Sequence, residues 1–217
     1  MKSTGSPAAS DRGVEAMANL ITVLRTLLAF LAVAMLRWHT WEIYVAAALL
    51  TLLLIWMDAW DGWVARRRNE ASKAGAVFDI LGDRVVEMTY WIAFASFGWI
   101  PVWVAVLVSA RGILVDGFRA LAFERGMTAF GTTSMMRSRL GALLVSSRLS
   151  RGAYGVGKAA AFTLVILAFA PGWQPSLTTA LVVLAYGCVY ATVLLCVVRG
   201  IPVLVEARRF LVPERAG

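Results

Sequence analysis

Residues 57–83 read MDAWDGWVARRRNEASKAGAVFDILGD. Apolar runs flank the stretch on both sides, yet it holds four aspartates, Asp58, Asp61, Asp79 and Asp83, with Arg66, Arg67, Arg68 and Lys73 between them. At the helical turn of about 100° per residue, Asp58, Asp61, Gly62 and Ala65 fall within one narrow face. Gly75, Asp79 and Asp83 recur every fourth residue and form a second stripe if that segment is helical. Two helices joined by RRRNEASKA are antiparallel neighbours, so the stripes can face each other. Four carboxylates converging at one end of a helical bundle cannot all stay ionised without cations. Carboxylate-rich, oxygen-only ligation suits Mg2+ or Mn2+, and the donors suffice for two ions. An ordinary turn whose acids pair with the basic cluster would explain why charges occur here. It would not explain why the acids lie on two faces beside the small residues.

The surroundings point to a membrane. The chain has 217 residues, 60% of them hydrophobic, and a mean hydropathy of +0.73; a soluble domain runs nearer half apolar. Six apolar segments, about 20–38, 41–64, 77–98, 99–123, 156–173 and 177–199, are expected as transmembrane helices, because a backbone in lipid must satisfy its own hydrogen bonds. The segments near FGWIP and APGWQPS carry no Lys or Arg, and RWHTWE carries only Arg37. The basic residues gather on the other side, among them Arg66–Arg68, Lys73, Arg137, Arg139, Arg148, Arg151, Lys158, Arg208 and Arg209. The positive-inside bias then places both termini in the cytoplasm. It also accounts for most of the formal charge of +8, which removes the case for nucleic-acid binding. The expected organisation is an all-α polytopic membrane protein. Residues 1–18 form a polar tail or interfacial helix, 19–199 the six-helix domain and 200–217 a basic cytoplasmic tail.

No cleaved signal peptide is expected, since the first apolar run starts near Leu20 and contains Arg25. The long stretch between the fourth and fifth spans mixes Ser, Arg and small apolar residues, and part of it is expected at the membrane interface. Cys188 and Cys196 lie eight apart in one apolar run, too far for a disulfide on a helix, and read as small core residues. His39 reads as structural or interfacial.

The order Asp58-x-x-Asp61-Gly62-x-x-Ala65-Arg66, eight residues, Gly75, three residues, Asp79, three residues, Asp83 resembles the signature of the CDP-alcohol phosphotransferases at all eight fixed positions. ANLITVLRTLLAF is similar to that family's N-terminal segment, with Asn19, Thr22 and Arg25 at the expected places. The resemblance implies a six-helix membrane enzyme, usually homodimeric, that replaces the CMP of a CDP-linked lipid with an alcohol. By similarity, Asp58, Asp61 and Asp79 ligate metal with Asp83 at the edge, and Asp83 is also the general base for the acceptor hydroxyl. Asp58, Gly62, Ala65, Arg66 and Gly75 line the CDP site, with Arg66 facing a phosphate. Glu87 extends the acidic stripe by one turn and is expected to pair with Arg84.

The acceptor is read from the fourth span, where SARGILVDGFRALAFERG sets Arg111, Asp116 and Arg119 in apolar surroundings. An arginine inside a membrane span is a functional-site hypothesis, weighed against snorkelling or pairing with Asp116. The segment resembles the fourth helix of bacterial phosphatidylglycerophosphate synthases, and YGVGKAAAFTLV, with Gly157-Lys158, resembles their entry to the fifth. The favoured reading is therefore transfer from CDP-diacylglycerol to glycerol 3-phosphate, with Arg111, Arg119 and Lys158 receiving the acceptor phosphate, in the bacterial inner membrane with the site facing the cytoplasm. Two departures keep inositol or inositol phosphate open as acceptors. Ala160 stands where those synthases have a second lysine, and Arg84 after Asp83 is more like the inositol-transferring members. A divalent-cation transporter would also want buried carboxylates, but it should show repeats and charges along a path through the membrane. Here the acids sit at one end.

Overall fold

The computed structural model describes residues 9–68, 73–124 and 139–211; the side chains before Asn19 and from Asp58 to Ala74 lie outside the described residues. Within these limits the chain is all helical: α1 (Ala9–Met35), α2 (Trp41–Arg68), α3 (Lys73–Ser96), α4 (Val102–Glu124), α5 (Arg139–Ser146), α6 (Arg148–Ala168) and α7 (Pro175–Leu211). Six of them cover the six expected apolar segments, and the short α5 falls in the stretch expected at the interface. Among the described residues, one helix is long and apolar enough to cross a membrane by length and composition, Pro175–Arg208 within α7; Asn19–Met35 and Trp41–Met57 are shorter apolar stretches.

The chain forms two compact units, residues 1–93 with 170–172 and residues 94–169 with 173–217. In the first unit, α1 packs on α2. The buried positions along α1 and the turn after it are Thr22, Arg25, Ala29, Ala32 and Leu36, alternately three and four apart, while Leu20, Val23, Leu24, Leu27, Phe30 and Leu31 are exposed. On α2, Tyr44, Ala47, Ala48, Thr51 and Leu54 are buried, and Leu49, Leu52, Leu53 and Trp56 are exposed. Small and polar residues inside with large apolar ones outside reverse the water-soluble pattern. Helices whose outer faces meet hydrocarbon pack this way, because small residues let the backbones approach. The hydroxyls of Thr51 and Tyr90 meet at 2.9 Å, which satisfies both buried groups and ties α2 to α3. The turn after α1 is held by Tyr44, whose hydroxyl donates to the Leu36 carbonyl at 3.4 Å and pairs with His39 Nδ1 at 3.2 Å. His39 belongs to this turn.

In the second unit, α7 packs against α6, α4 and α5. The end of α3 is closed by a pair of backbone bonds, Trp99 N–H to Phe94 C=O at 2.9 Å and Gly98 N–H to Ala95 C=O at 3.1 Å. That pairing requires a left-handed residue, supplied by Gly98 at φ +72°. Trp99 then stacks on Phe169 with centroids 5.0 Å apart, and the Tyr186 hydroxyl donates to the Trp99 carbonyl at 2.9 Å. At the other end, Val115, Ala122, Val145 and Val203 form a buried cluster with Phe118 against it, joining α4, α5 and α7.

α7 runs on to Leu211 through Gly200 and Pro202, into the residues expected as a basic tail. Proline deletes one backbone bond and normally breaks a helix. Burial of Val203, Glu206 and Ala207 holds the continuation in place. At about 1.5 Å per residue the helix is about 55 Å long, well beyond the roughly 30 Å of a bilayer's hydrocarbon.

Candidate functional site

Asp79, Asp83 and Glu87 line one side of α3 because they are four residues apart on a helix. Asp79 and Asp83 are half exposed, with side-chain accessibilities of 50% and 41%. Opposite them stands Arg25 of α1, whose side chain is only 4% accessible. One nitrogen of its guanidinium, Nη2, donates to Asp79 Oδ1 at 3.5 Å and to Asp83 Oδ1. One cation thus already serves both carboxylates. This is possible because α1 and α3 approach closely at Gly82, where an added Cβ would fall inside the Thr22 side-chain methyl. Thr22 is itself buried, and its carbonyl accepts from the Thr26 hydroxyl at 2.8 Å. Glu87 is buried and takes a hydrogen bond from Arg84 at 2.7 Å, the pairing expected from the sequence.

The backbones of Asp58, Asp61, Gly62, Ala65 and Arg66 continue α2, while their side chains lie outside the described residues. Gly75 sits in the first turn of α3 and is partly buried. Among the described residues no group of three or more His, Cys, Asp or Glu side chains could hold a metal ion; two of the four expected ligands, Asp79 and Asp83, are described. These two fit a hard divalent ion in donor type and in closeness, since both Oδ1 atoms lie against a single nitrogen.

The second unit holds the expected acceptor residues. Arg111 of α4 lies along α7 at Gly200, where an added Cβ would stand 3.0 Å from both its Cγ and its Nε. Its Nε is buried with no hydrogen-bond partner among the described residues. Arg119 has Asp116 one turn back at 3.8 Å, a long and partly exposed pair. Lys158 lies over the Tyr154 ring, 5.0 Å from its centroid.

Sequence reasoning missed Arg199. It is 7% accessible, its Nη1 donates to the Leu144 carbonyl at 3.2 Å and to the Ser150 hydroxyl, and its guanidinium lies over the same Tyr154 ring at 5.8 Å. The positive charges of Arg111, Arg119 and Arg151 act on it. The available signal was an arginine with apolar residues on both sides, LLCVVRGIPVL, where Gly200 and Pro202 make it read as the end of a span. The local fold follows from a helix start: Ser147 caps α6 by accepting from Ser150 N–H at 3.1 Å. The cap places the Ser150 hydroxyl, which also donates to the Leu144 carbonyl at 2.6 Å, beside Arg199.

The chain is similar to the "Probable phosphatidylglycerophosphate synthase" of Mycobacterium tuberculosis (strain ATCC 25618 / H37Rv), 29% identical over 128 residues that cover 57% of this chain and 60% of that protein. It is 34% identical to the "Putative cardiolipin synthase" of the same strain over 73 residues, 34% of this chain and 35% of that protein. It is 30% identical to the CDP-diacylglycerol–glycerol-3-phosphate 3-phosphatidyltransferase of Cereibacter sphaeroides over 106 residues, 46% of this chain and 48% of that protein. The chain thus spans between about one third and three fifths of the length of these curated relatives. The family model of the CDP-alcohol phosphatidyltransferases matches residues 15–198, from α1 to Val198 of α7, and the chain belongs to that family.

Proposed function

We propose that the protein is a membrane phosphatidyltransferase that moves the phosphatidyl group of CDP-diacylglycerol onto glycerol 3-phosphate with release of CMP. The observation that carries the choice of acceptor is that Arg111 of α4 lies against α7 at Gly200, the residue after Arg199. Both guanidiniums are wholly or partly withdrawn from water, and neither has a carboxylate partner among the described residues. Arg199 is held by a carbonyl and a hydroxyl, which orient the group and leave its charge uncompensated. Buried charge of this kind calls for an anion, and planar guanidiniums match a phosphate bidentately.

In this reading the acceptor phosphate rests on Arg111 and Arg199, with Arg119 and Lys158 adding positive field. Asp83 Oδ takes the proton of the attacking hydroxyl as its oxygen bonds to the phosphatidyl phosphorus. The bond from that phosphorus to the CMP oxygen breaks, and CMP leaves with the electron pair. Asp58, Asp61, Asp79 and Asp83 would hold one or two Mg2+ or Mn2+ ions, which supply charge neutralisation at the pyrophosphate. Gly62, Ala65 and Gly75 leave room for CDP on α2 and α3, with Arg66 directed at a phosphate. The six long helices cross the bilayer, with both termini and the aspartates on the cytoplasmic side of a bacterial inner membrane, and the enzyme works as a homodimer. Support for the sidedness comes from the distribution of Lys and Arg. A thiol label placed in APGWQPS, residues 170–176, should react only from outside, and one near Arg148 only from inside. The reverse pattern in sealed vesicles would invert the topology.

The test of function is incubation of the purified protein with labelled CDP-diacylglycerol and a panel of glycerol 3-phosphate, inositol, inositol phosphate and phosphatidylglycerol. CMP release with glycerol 3-phosphate is expected. Use of a neutral alcohol alone would refute the acceptor assignment, and selective use of inositol phosphate would keep the phosphate clamp and change the alcohol. Arg111→Ala should raise KM for glycerol 3-phosphate by one to three orders of magnitude, about 1.5–4 kcal/mol, with little change in KM for CDP-diacylglycerol. Equal losses for both substrates would remove Arg111 from the acceptor site.

A further inference from the structure

The reaction as described gives no task to Arg25, yet it is among the most withdrawn of the described charged residues of the first unit, 3% accessible in the first third of the apolar stretch Asn19–Met35. Its Nη2 draws Oδ1 of Asp79 and Oδ1 of Asp83 onto one nitrogen, bridging carboxylates that stand one helical turn apart. The bridge depends on a close approach of backbones, since Thr22, one turn before Arg25 on the same buried stripe, fills the notch at Gly82, the residue before Asp83.

We propose that Arg25 is the positioning residue of this aspartate pair and the resident counter-ion that sets its affinity for divalent metal. Two carboxylates one turn apart repel each other and rotate away from one another when nothing lies between them. A guanidinium placed by a buried helix removes that repulsion and fixes which oxygen of each carboxylate turns inward, so the pair is formed before any ion arrives. The same fixed positive charge opposes a divalent cation at the pair. Arg25 therefore trades metal affinity for carboxylate orientation, and the enzyme carries a higher metal requirement than its acids alone would set. Lysine at this position would keep the charge but replace Nη2, whose two N–H bonds are fixed in the guanidinium plane, with a freely rotating ammonium.

This inference rests on the reading that the aspartates take a divalent ion, and the experiment separates the two. Mn2+ binding is measured by electron paramagnetic resonance on the full-length protein in nanodiscs of phosphatidylcholine, without substrate, for the wild type, Arg25→Met and Arg25→Lys. Arg25→Met is expected to bind Mn2+ at least tenfold more tightly than wild type. At saturating Mn2+ its kcat should be at least tenfold lower, with KM for CDP-diacylglycerol changed less than about threefold. Arg25→Lys should return most of the wild-type Mn2+ affinity and only part of kcat. Unchanged or weaker Mn2+ binding in Arg25→Met, or an unchanged kcat, overturns the role of Arg25 while leaving the metal reading in place. No Mn2+ binding by the wild type overturns both.

A second pair of variants covers the case in which Arg25→Met fails to fold. Gly82→Ala should push α1 from α3, loosen the bridge and shift Mn2+ affinity in the same direction by a smaller factor. Adding Thr22→Ser, which removes the methyl that the new Cβ would meet, should reverse the shift. A Gly82→Ala protein with wild-type Mn2+ affinity and kcat would count against the bridge.

Discussion

Replacing Asp58 and Asp61 together by Asn should abolish CMP release, a loss of at least about 10^4 in turnover or about 5.5 kcal/mol. Each substitution keeps the size of the side chain and one carbonyl oxygen, so α2 should remain folded. What disappears is negative charge, and a hard divalent ion at a site built from carboxylates depends on it. The two positions share a helical face three residues apart, so they act on the same ion or ions and their effects should not add. Each single variant should recover part of its activity in excess Mn2+ or Mg2+, because weakened binding can be offset by concentration. The measurement is labelled CMP release across a metal titration, with Mn2+ binding measured beside it. Near-normal turnover in the double variant would remove the metal site from these residues.

Asp83→Asn should reduce kcat by about 10^2 to 10^4, about 2.7–5.5 kcal/mol, while CDP-diacylglycerol still binds. Asparagine cannot take the acceptor's proton, whereas the donor lipid has no need of that step. Asp83 is well placed for this division of labour: its side chain is 41% accessible, open enough to meet a water-soluble alcohol. Its Oδ1 is oriented by Arg25. If CDP-lipid binding, measured by equilibrium dialysis or fluorescence, fell in parallel with turnover, Asp83 would be better described as an essential metal ligand.

The stripe of Asp79, Asp83 and Glu87 was legible in the sequence because helical period alone fixes which residues of α3 share a face; the side chains of Asp58 and Asp61 lie outside the described residues. The Arg84–Glu87 pair was legible for the same reason, being three residues apart on α3. Arg25 could be singled out but not given its partners, since nothing local connects it to carboxylates 54 and 58 residues away. Gly82 and Gly200 were silent for a related reason. What makes each matter is a side chain on another helix, Thr22 in one case and Arg111 in the other. Arg199 was read as the end of a span because a charge interrupts the apolar sequence there, and the helix beyond it was hidden by Gly200 and Pro202, which by propensity end helices. Cys188 and Cys196 are free thiols, half-buried and buried, in keeping with their reading as small core residues.

The bridge from Arg25 to α3 also bears on how the chain is made. An arginine in an inserting helix raises the free energy of insertion, by about 2.5–3.5 kcal/mol at the helix centre and by less toward its end, where Arg25 lies. The carboxylates that compensate it are synthesised 54 and 58 residues later. At roughly 5–20 residues per second the ribosome needs roughly 3–12 seconds to deliver them. On the proposed topology α1 carries an unmatched charge during that interval, which favours its staying beside the insertion machinery over diffusing into lipid. The ion pair then favours release of the first three helices as a group, once Asp83 has emerged.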